Sequence, residues 1–481
     1  MRHLAIRPET VAYVITVHNH LHTHPETRWE ETKTLSYIKQ QIGFLGIKGS
    51  LSELQGGLTF DYVVNPNLAW VLFRADIDAL PILEHVENVP RSENDGVMHA
   101  CGHDINTAVL LGLMKEIADD YVLPTKNIRF VFQRAEENPG ASPQAKSGGA
   151  SLVEAGICDG MSAAYMLHTW AEGTPGAFSS RPGAMLGCSD RMGIILSLEE
   201  GRDPKTIMQA LQTIWNTLEG FPNRTIGPIE PATLEPVKGR KASNVMPDKV
   251  WLWYAINPFA FLPQGLENIR KIVIAAFPET KLEFFRENDS IVVSVESTGG
   301  HVALPQKGTN ALRASRFVMN TIDMLGYSVS MKPISYSCDT DKDMGKSNVL
   351  EAWYGVRTML SAKRRDEYFV ELERVVVSVV SAFPGVGVRI EKILGHPALI
   401  NTDFEKIAGV LKTAGENVEK ADPSLGGEDF AYYLQKIPGS SWLLCTHREG
   451  SGHLHTATFN PDPEIFAEKG VRFWTLLATE P

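Results

Sequence analysis

Along the first 190 residues, short apolar runs alternate with stretches of helical spacing. Leu68–Phe73 is an apolar run that breaks into charge at Arg74-Ala75-Asp76-Ile77-Asp78. Ile128–Phe132 repeats the arrangement and ends at Glu136-Glu137, and Ala163–Leu167 does so again and ends at His168. Between the first two, Ala108–Ala118 carries apolar residues at helical spacing. Runs of this kind fit strands covered on both faces. Alternating with helices, they predict an α/β domain with a largely parallel central sheet. The polar residues fall just past the C-terminal ends of these strands, where open α/β sheets collect their sites.

From Met192 the texture changes. Ile194–Leu198 and Val250–Ala255 are expected as strands, with helices over Thr206–Leu218 and Leu266–Phe277. The series then recurs as strand Ile291–Val295, helix Ala311–Leu325, strand Leu350–Val356 and helix Arg365–Phe383. Trp253-Tyr254-Ala255-Ile256-Asn257 lies over Trp353-Tyr354-Gly355-Val356-Arg357 at an offset of 100 residues, which suggests a duplicated α+β unit. After Gly395-His396-Pro397 the first pattern returns, including an apolar strand at Ser441–Cys445. The expected organisation is a discontinuous domain over 1–190 and 395–481. It is interrupted by an inserted domain over 191–394, with repeats over 191–285 and 286–394.

Size and charge narrow the choice of partners. The chain has 481 residues, enough for two or three domains, and a net charge of −11. That balance argues against nucleic acid or an anionic membrane surface, both of which call for a basic face. No apolar run is long enough to span a bilayer, and the first ten residues lack the pattern of a signal peptide. Five scattered cysteines do not make a disulfide framework, so a reducing cytoplasm is expected.

Several polar residues could carry chemistry. Cys101-Gly102-His103-Asp104 precedes the first helix, and a turn there could aim thiolate and imidazole at one metal ion. The plainer reading is a buried cysteine beside a helix-capping pair. Glu136 and Glu137 repel one another at a strand end; one could bind metal while the other takes a proton from an activated water. A solvated strand end would explain them without function. His168 ends a strand, and His453 and His455 point the same way if their segment is extended. Asp76 or Asp78 could orient a ligand histidine. Each signal is weak alone, but together they put Cys, His and paired carboxylates at one sheet edge.

The residues also resemble a known family. His22-Thr23-His24-Pro25-Glu26, Arg74-Ala75-Asp76-Ile77-Asp78-Ala79-Leu80-Pro81, His99-Ala100-Cys101-Gly102-His103-Asp104 and Phe132-Gln133-Arg134-Ala135-Glu136-Glu137 are similar to successive motifs of the M20 metallopeptidase and aminoacylase family. Gly148-Gly149-Ala150, Arg181-Pro182-Gly183, Gly427-Glu428-Asp429-Phe430 and Leu454-His455 follow in the family's order. The motifs span most of the chain, and the likeness is strongest to the N-acyl-amino-acid amidohydrolase branch. The resemblance implies two divalent metals, zinc or manganese first, with cobalt or nickel as alternatives. Cys101 would bridge them, His103 and His168 would complete one, and Glu137 with His455 the other. His453 is the alternative for the last ligand. Glu136 would be the general base and Asp78 would orient a ligand.

Departures from the pattern matter too. Asn106 stands where the branch usually has a second histidine, and Arg134 replaces a usual proline before the glutamates. An insertion occupies roughly 138–146. In the inserted domain, Gly299-Gly300-His301-Val302 resembles a lid loop in which His301 stabilises the oxyanion and Gly300 lets the backbone approach. Arg357 resembles the lid arginine that clamps a substrate carboxylate. These features occur only in the second repeat. The resemblance to the family's doubled-lid dipeptidases therefore implies a site that a single chain can complete.

The implied function is hydrolysis of an amide bond in a small carboxylate-bearing substrate: an N-acyl amino acid, a dipeptide or an aromatic amide. Hydrolytic deamination of an aromatic amine is an alternative on the same site. A non-catalytic binding protein is another, against which the retention of Glu136 argues.

Overall fold

A computed structural model describes residues 5–86, 90–137, 146–188, 190–199, 204–219, 230–234, 245–246, 249–256, 263–287, 290–296, 300–301, 314, 317–318, 331–338, 349–356, 362–393, 395–424 and 426–480. The chain divides into two compact units, 1–187 with 396–481, and 188–395.

The first unit is built on one eight-stranded sheet. Its strands are β1 (Ser50–Leu54), β2 (Gly57–Tyr62), β3 (Trp70–Asp76), β4 (Asn127–Gln133), β5 (Met161–Trp170), β6 (Phe178–Ser180), β19 (Val418–Lys420) and β20 (Gly439–Cys445). They lie in the order β1-β2-β4-β3-β5-β20-β6-β19, and β7 (Gly183–Leu186) with β18 (Leu399–Asn401) forms a separate antiparallel pair. The central pairs β4–β3, β3–β5 and β5–β20 are parallel, as is β6–β19, while β1–β2, β2–β4 and β20–β6 are antiparallel. The sheet is thus mixed and mostly parallel, an α/β arrangement as the apolar runs indicate. β20 comes from the C-terminal segment and pairs with β5, so the two ends of the chain share one sheet.

Burial on both faces explains the continuous apolar text of the central strands. Val71 and Phe73 of β3 point into one core, and Leu72 between them points into the other. The first core also takes Val14, Val17 and Leu21 of helix α1 (Pro8–Thr23) and Leu110, Leu113 and Met114 of helix α3 (His103–Ala118). Helix α2 (Thr32–Leu45) adds Leu35, Ile38 and Ile42. Nearly every α3 residue is buried, as expected of a helix apolar all round. The helix begins five residues before the apolar pattern does, because His103, Asp104, Asn106 and Thr107 in its opening residues are polar although buried.

The inserted unit holds two four-stranded sheets. Its strands are β8 (Asp190–Leu198), β9 (Glu230–Leu234), β10 (Val245–Met246), β11 (Lys249–Ile256), β12 (Lys281–Glu287), β13 (Ser290–Glu296), β14 (Gly300–His301), β15 (Met331–Cys338), β16 (Val349–Val356) and β17 (Val386–Ile393). One sheet has the order β17-β8-β16-β9 and the other β12-β13-β11-β15. Each sheet therefore takes two strands from each sequence repeat, and neither repeat closes a sheet by itself. The repeat is nonetheless visible in the register. β11 and β16 are both inner strands, antiparallel to both neighbours, and each carries an irregularity at the same place, Trp253/Tyr254 and Trp353/Tyr354.

Gly300 and His301 form β14, which pairs with β10 through Met246 and Val245. Arg357, most of the expected helix Ala311–Leu325, and the insertion at 138–146 except its last residue lie outside the described residues. No described helix is long and apolar enough to cross a membrane.

Candidate metal centre

The first unit brings five donor side chains together at the C-terminal edge of its sheet. Cys101, His103 and His168 present ligand atoms within 4.8 Å of one another, as do Cys101, Glu137 and His455, and so do His103, Glu136 and Glu137. Cys101 Sγ lies 3.6 Å from His168 Nε2 and 3.2 Å from His455 Nε2. His455 Nε2 is also 3.1 Å from Glu137 Oε1. The thiol thus stands between two groups of donors. All five side chains are buried.

Local backbone explains how residues two apart face one point. Gly102 adopts φ +80°, and a side chain there would meet Thr169 at 2.2 Å. That left-handed turn lets Cys101 and His103 converge before α3 begins. At the other end of the chain His455 adopts φ +63° within a turn rather than a strand. An extended segment would have aimed His453 and His455 alike. Instead the turn separates them: His455 enters the cluster, while half-exposed His453 lies 3.3 Å from Glu172.

Asp78 organises the centre from behind. Its Oδ1 accepts from the Glu136 N–H at 3.1 Å and its Oδ2 from the Glu137 N–H at 2.9 Å. His103 Nδ1 lies 2.8 Å from the Asp78 carbonyl and 3.2 Å from Oδ1. With Nδ1 donating to these oxygens, the neutral ring would present its lone pair on Nε2, which has no hydrogen-bond partner among the described residues. Burial opposes a charge on His103, but Asp76, Asp78 and Glu137 outweigh it and lift the imidazole to about 10. His168 is instead held down to about 4, chiefly by burial. Burial, with Glu137 and Glu136 close by, pushes the Cys101 thiol well up. Burial, then Glu428 and Glu137, raises Glu136. Without a cation these donors hold their protons; a bound divalent ion would favour their deprotonated, ligating forms. Thiolate, imidazole and carboxylate donors and a buried, unpartnered ring nitrogen fit divalent metal.

Other residues around the centre gave no separate signal in the sequence. Arg74 is fully buried and binds Asp76 at 2.6 Å, Asp429 at 2.7 Å and Glu428 at 3.0 Å. Asn106 donates to Asp76 at 2.8 Å and accepts from the Thr169 N–H at 3.1 Å, so it braces the sheet edge outside the donor set. Behind α3, His22 Nδ1 meets Asp104 at 2.7 Å and Nε2 meets Glu84 at 3.3 Å. The Arg74 and His22 motifs were legible as text, but pairings across 62 to 355 residues have no local signature.

Comparison with known proteins identifies the family and supports the fold. A family model described as peptidase family M20/M25/M40 matches residues 72–480. The chain is 30% identical over 320 residues to the N-acyl-L-amino acid amidohydrolase of Geobacillus stearothermophilus, covering 63% of this chain and 82% of that protein. It is also 30% identical over 281 residues to the IAA-amino acid hydrolase ILR1-like 5 of Arabidopsis thaliana, covering 56% of this chain but only 62% of the plant protein. A dinuclear metal-binding peptidase of the M20 family from Bacillus subtilis shares the fold with a TM-score of 0.59 at 20% identity, covering 98% of this chain and 97% of that one. With the family model matching most of its length, the chain belongs to peptidase family M20/M25/M40.

Proposed function

We propose that this protein is a two-metal amidohydrolase that cleaves an amide bond beside a carboxylate. The observation that carries the reading is the convergence of Cys101, His103, Glu137, His168 and His455 with Glu136 among them. Cys101, His103 and His168 would hold one divalent ion, and Cys101, Glu137 and His455 the other. When bound, such a pair supplies an acidified water and a polarised carbonyl. Zinc or manganese suits the donors best, and cobalt or nickel would also fit.

Glu136 takes the proton of the attacking water on its carboxylate and returns it to the leaving amine. Asp78 holds His103 by its second ring nitrogen and fixes the two glutamates by their amides, so the base does not reorient during the reaction. His301 donates to the developing oxyanion, Gly300 permits close backbone approach, and Arg357 clamps the substrate carboxylate. Because Gly300, His301 and Arg357 fall in the second repeat alone, the doubled lid supports a site that a single chain completes.

The substrate class is N-acyl amino acids first, with dipeptides and aromatic amides behind them. The two amide hydrolases at 30% identity support that order. Partners are small molecules, with neither nucleic acid nor membrane among them. The cytoplasm is the expected compartment, because five scattered cysteines do not make a disulfide framework.

The test is metal content and amino-acid release from a panel of N-acyl amino acids and dipeptides, using chelated protein resupplied with zinc, manganese, cobalt or nickel. Metal-dependent release supports the reading. Protein that binds no metal under any condition overturns it. Mixing a His301→Ala chain with a metal-site variant probes the single-chain claim, since restored turnover would mean that chains share a site.

A further inference from the structure

Besides His455, two residues that are not glycine and are linked through Arg134 hold left-handed backbone, Trp29 at φ 64° and Ala135 at φ 48°. L-residues adopt this conformation only when their surroundings impose it. Ala135 directly precedes the two glutamates, so its backbone sets the direction in which Glu136 and Glu137 leave the end of β4.

One ion pair ties both residues down. Glu31, fully buried at the start of α2, accepts the Ala135 N–H on Oε1 at 2.7 Å and Arg134 Nε on Oε2 at 2.9 Å. Arg134 also donates from Nη2 to the Trp29 carbonyl at 2.5 Å, and its guanidinium lies 5.5 Å from the centre of the Trp29 ring. The next two amides, of Glu136 and Glu137, donate to Asp78. Arg28 Nη1 holds the Glu137 carbonyl at 2.7 Å. From the far side the Gly148 N–H meets the Ala135 carbonyl at 3.2 Å, and a side chain at Gly148 would strike the Arg134 carbonyl at 1.8 Å. Three successive amides are therefore fixed by two buried carboxylates, one of which, Glu31, is anchored by Arg134.

We propose that the Glu31–Arg134 pair is a positioning device that locks Ala135 in the left-handed conformation and thereby aims the Glu136–Glu137 pair. Arg134 stands where the branch usually has proline. Proline would stiffen that step of the chain through its ring, whereas here a side chain bound at three points does so. The pair touches neither substrate nor metal and acts only through the backbone of 135–137. The proposal rests on the reading of Glu136 as the base and Glu137 as a metal ligand.

The experiment compares Glu31→Gln, Arg134→Gln, Ala135→Gly and the double variant Glu31→Gln/Ala135→Gly in the full-length, metal-loaded protein, with kcat, KM and metal affinity measured for each. Misplaced glutamates should cost Glu31→Gln about 10- to 100-fold in kcat and a similar factor in metal affinity. KM should change little. Glycine adopts left-handed backbone without penalty, so Ala135→Gly should recover much of that loss in the double variant while leaving the parent protein nearly unchanged. A pair serving stability alone predicts the reverse, because glycine loosens the chain and cannot rescue it. Unchanged kcat and metal affinity in Glu31→Gln, or a loss that Ala135→Gly does not relieve, overturns the proposal. If Glu31→Gln does not fold, Arg134→Gln, alone and combined with Ala135→Gly, carries the same comparison, since it removes the anchor that holds Glu31 against the Ala135 amide. Glu136→Gln and Glu137→Gln are run alongside. If both retain turnover, the reading of the site fails and takes the positioning role with it; if both lose turnover while the Glu31 and Arg134 variants do not, only the positioning role fails.

Discussion

His455 Nε2 lies 3.2 Å from Cys101 Sγ although 354 residues separate them in the chain. The left-handed turn at His455 makes this contact, and it divides the two histidines of the Gly452–Phe459 segment into one inside the cluster and one beside Glu172. Replacing His455 with Ala should therefore remove about one metal ion per chain, whereas His453→Ala should leave the metal content of the purified protein unchanged. Elemental analysis of both variants decides this directly.

The roles proposed for Glu136 and Glu137 differ, and the difference is testable. Glu136→Gln keeps shape and hydrogen bonding but cannot accept a proton, so turnover should fall by about 10²- to 10⁴-fold. Metal stoichiometry should stay at the wild-type value. Loss of metal together with activity would instead make Glu136 a ligand.

Asp78 touches His103 and both glutamate amides. Asp78→Asn leaves a side chain of the same size with one acceptor fewer. Metal affinity should weaken by roughly 10- to 100-fold, read by competition with a chromogenic chelator, while the fold persists by circular dichroism.

His22 gives the fold a pH dependence away from the metal. Burial opposes its charge, but Asp104 and Glu84 outweigh burial and raise the imidazole from 6.5 to about 10. The folded state thus binds this proton more tightly than the unfolded state. The resulting stability is fully present below pH 6.5 and is lost as pH rises through about 10. The stability difference between the parent protein and His22→Gln, followed by denaturant titration, should shrink steadily across that window. A difference that is constant with pH would contradict the assignment.

Arg74 is buried among Asp76, Glu428 and Asp429. Arg74→Met should cost about 3–5 kcal/mol, because it strands buried carboxylates without a counter-charge. The midpoint of chemical denaturation measures it, and a second substitution at Asp429 to Asn should recover part of the loss.

The sequence alone determined the layered α/β architecture, because strands covered on both faces must read as continuous apolar text. It also marked Asp78 and Glu136-Glu137 just past their strands; His168, expected at a strand end, lies inside β5, which continues to Trp170. It suggested a duplication in the insert, because β11 and β16 share their wording. The exchange of strands between the two repeats was not legible, since pairing between equivalent edges leaves no trace in local pattern. Nor was the choice between His453 and His455, which depends on a single backbone angle. The tertiary structure alone decided that Glu31 and Arg134 clamp Ala135, and that Arg74 gathers Asp76, Glu428 and Asp429. Local sequence sets which residues can be strained or charged. Only packing across the whole chain brings together the partners that make strain and buried charge tolerable.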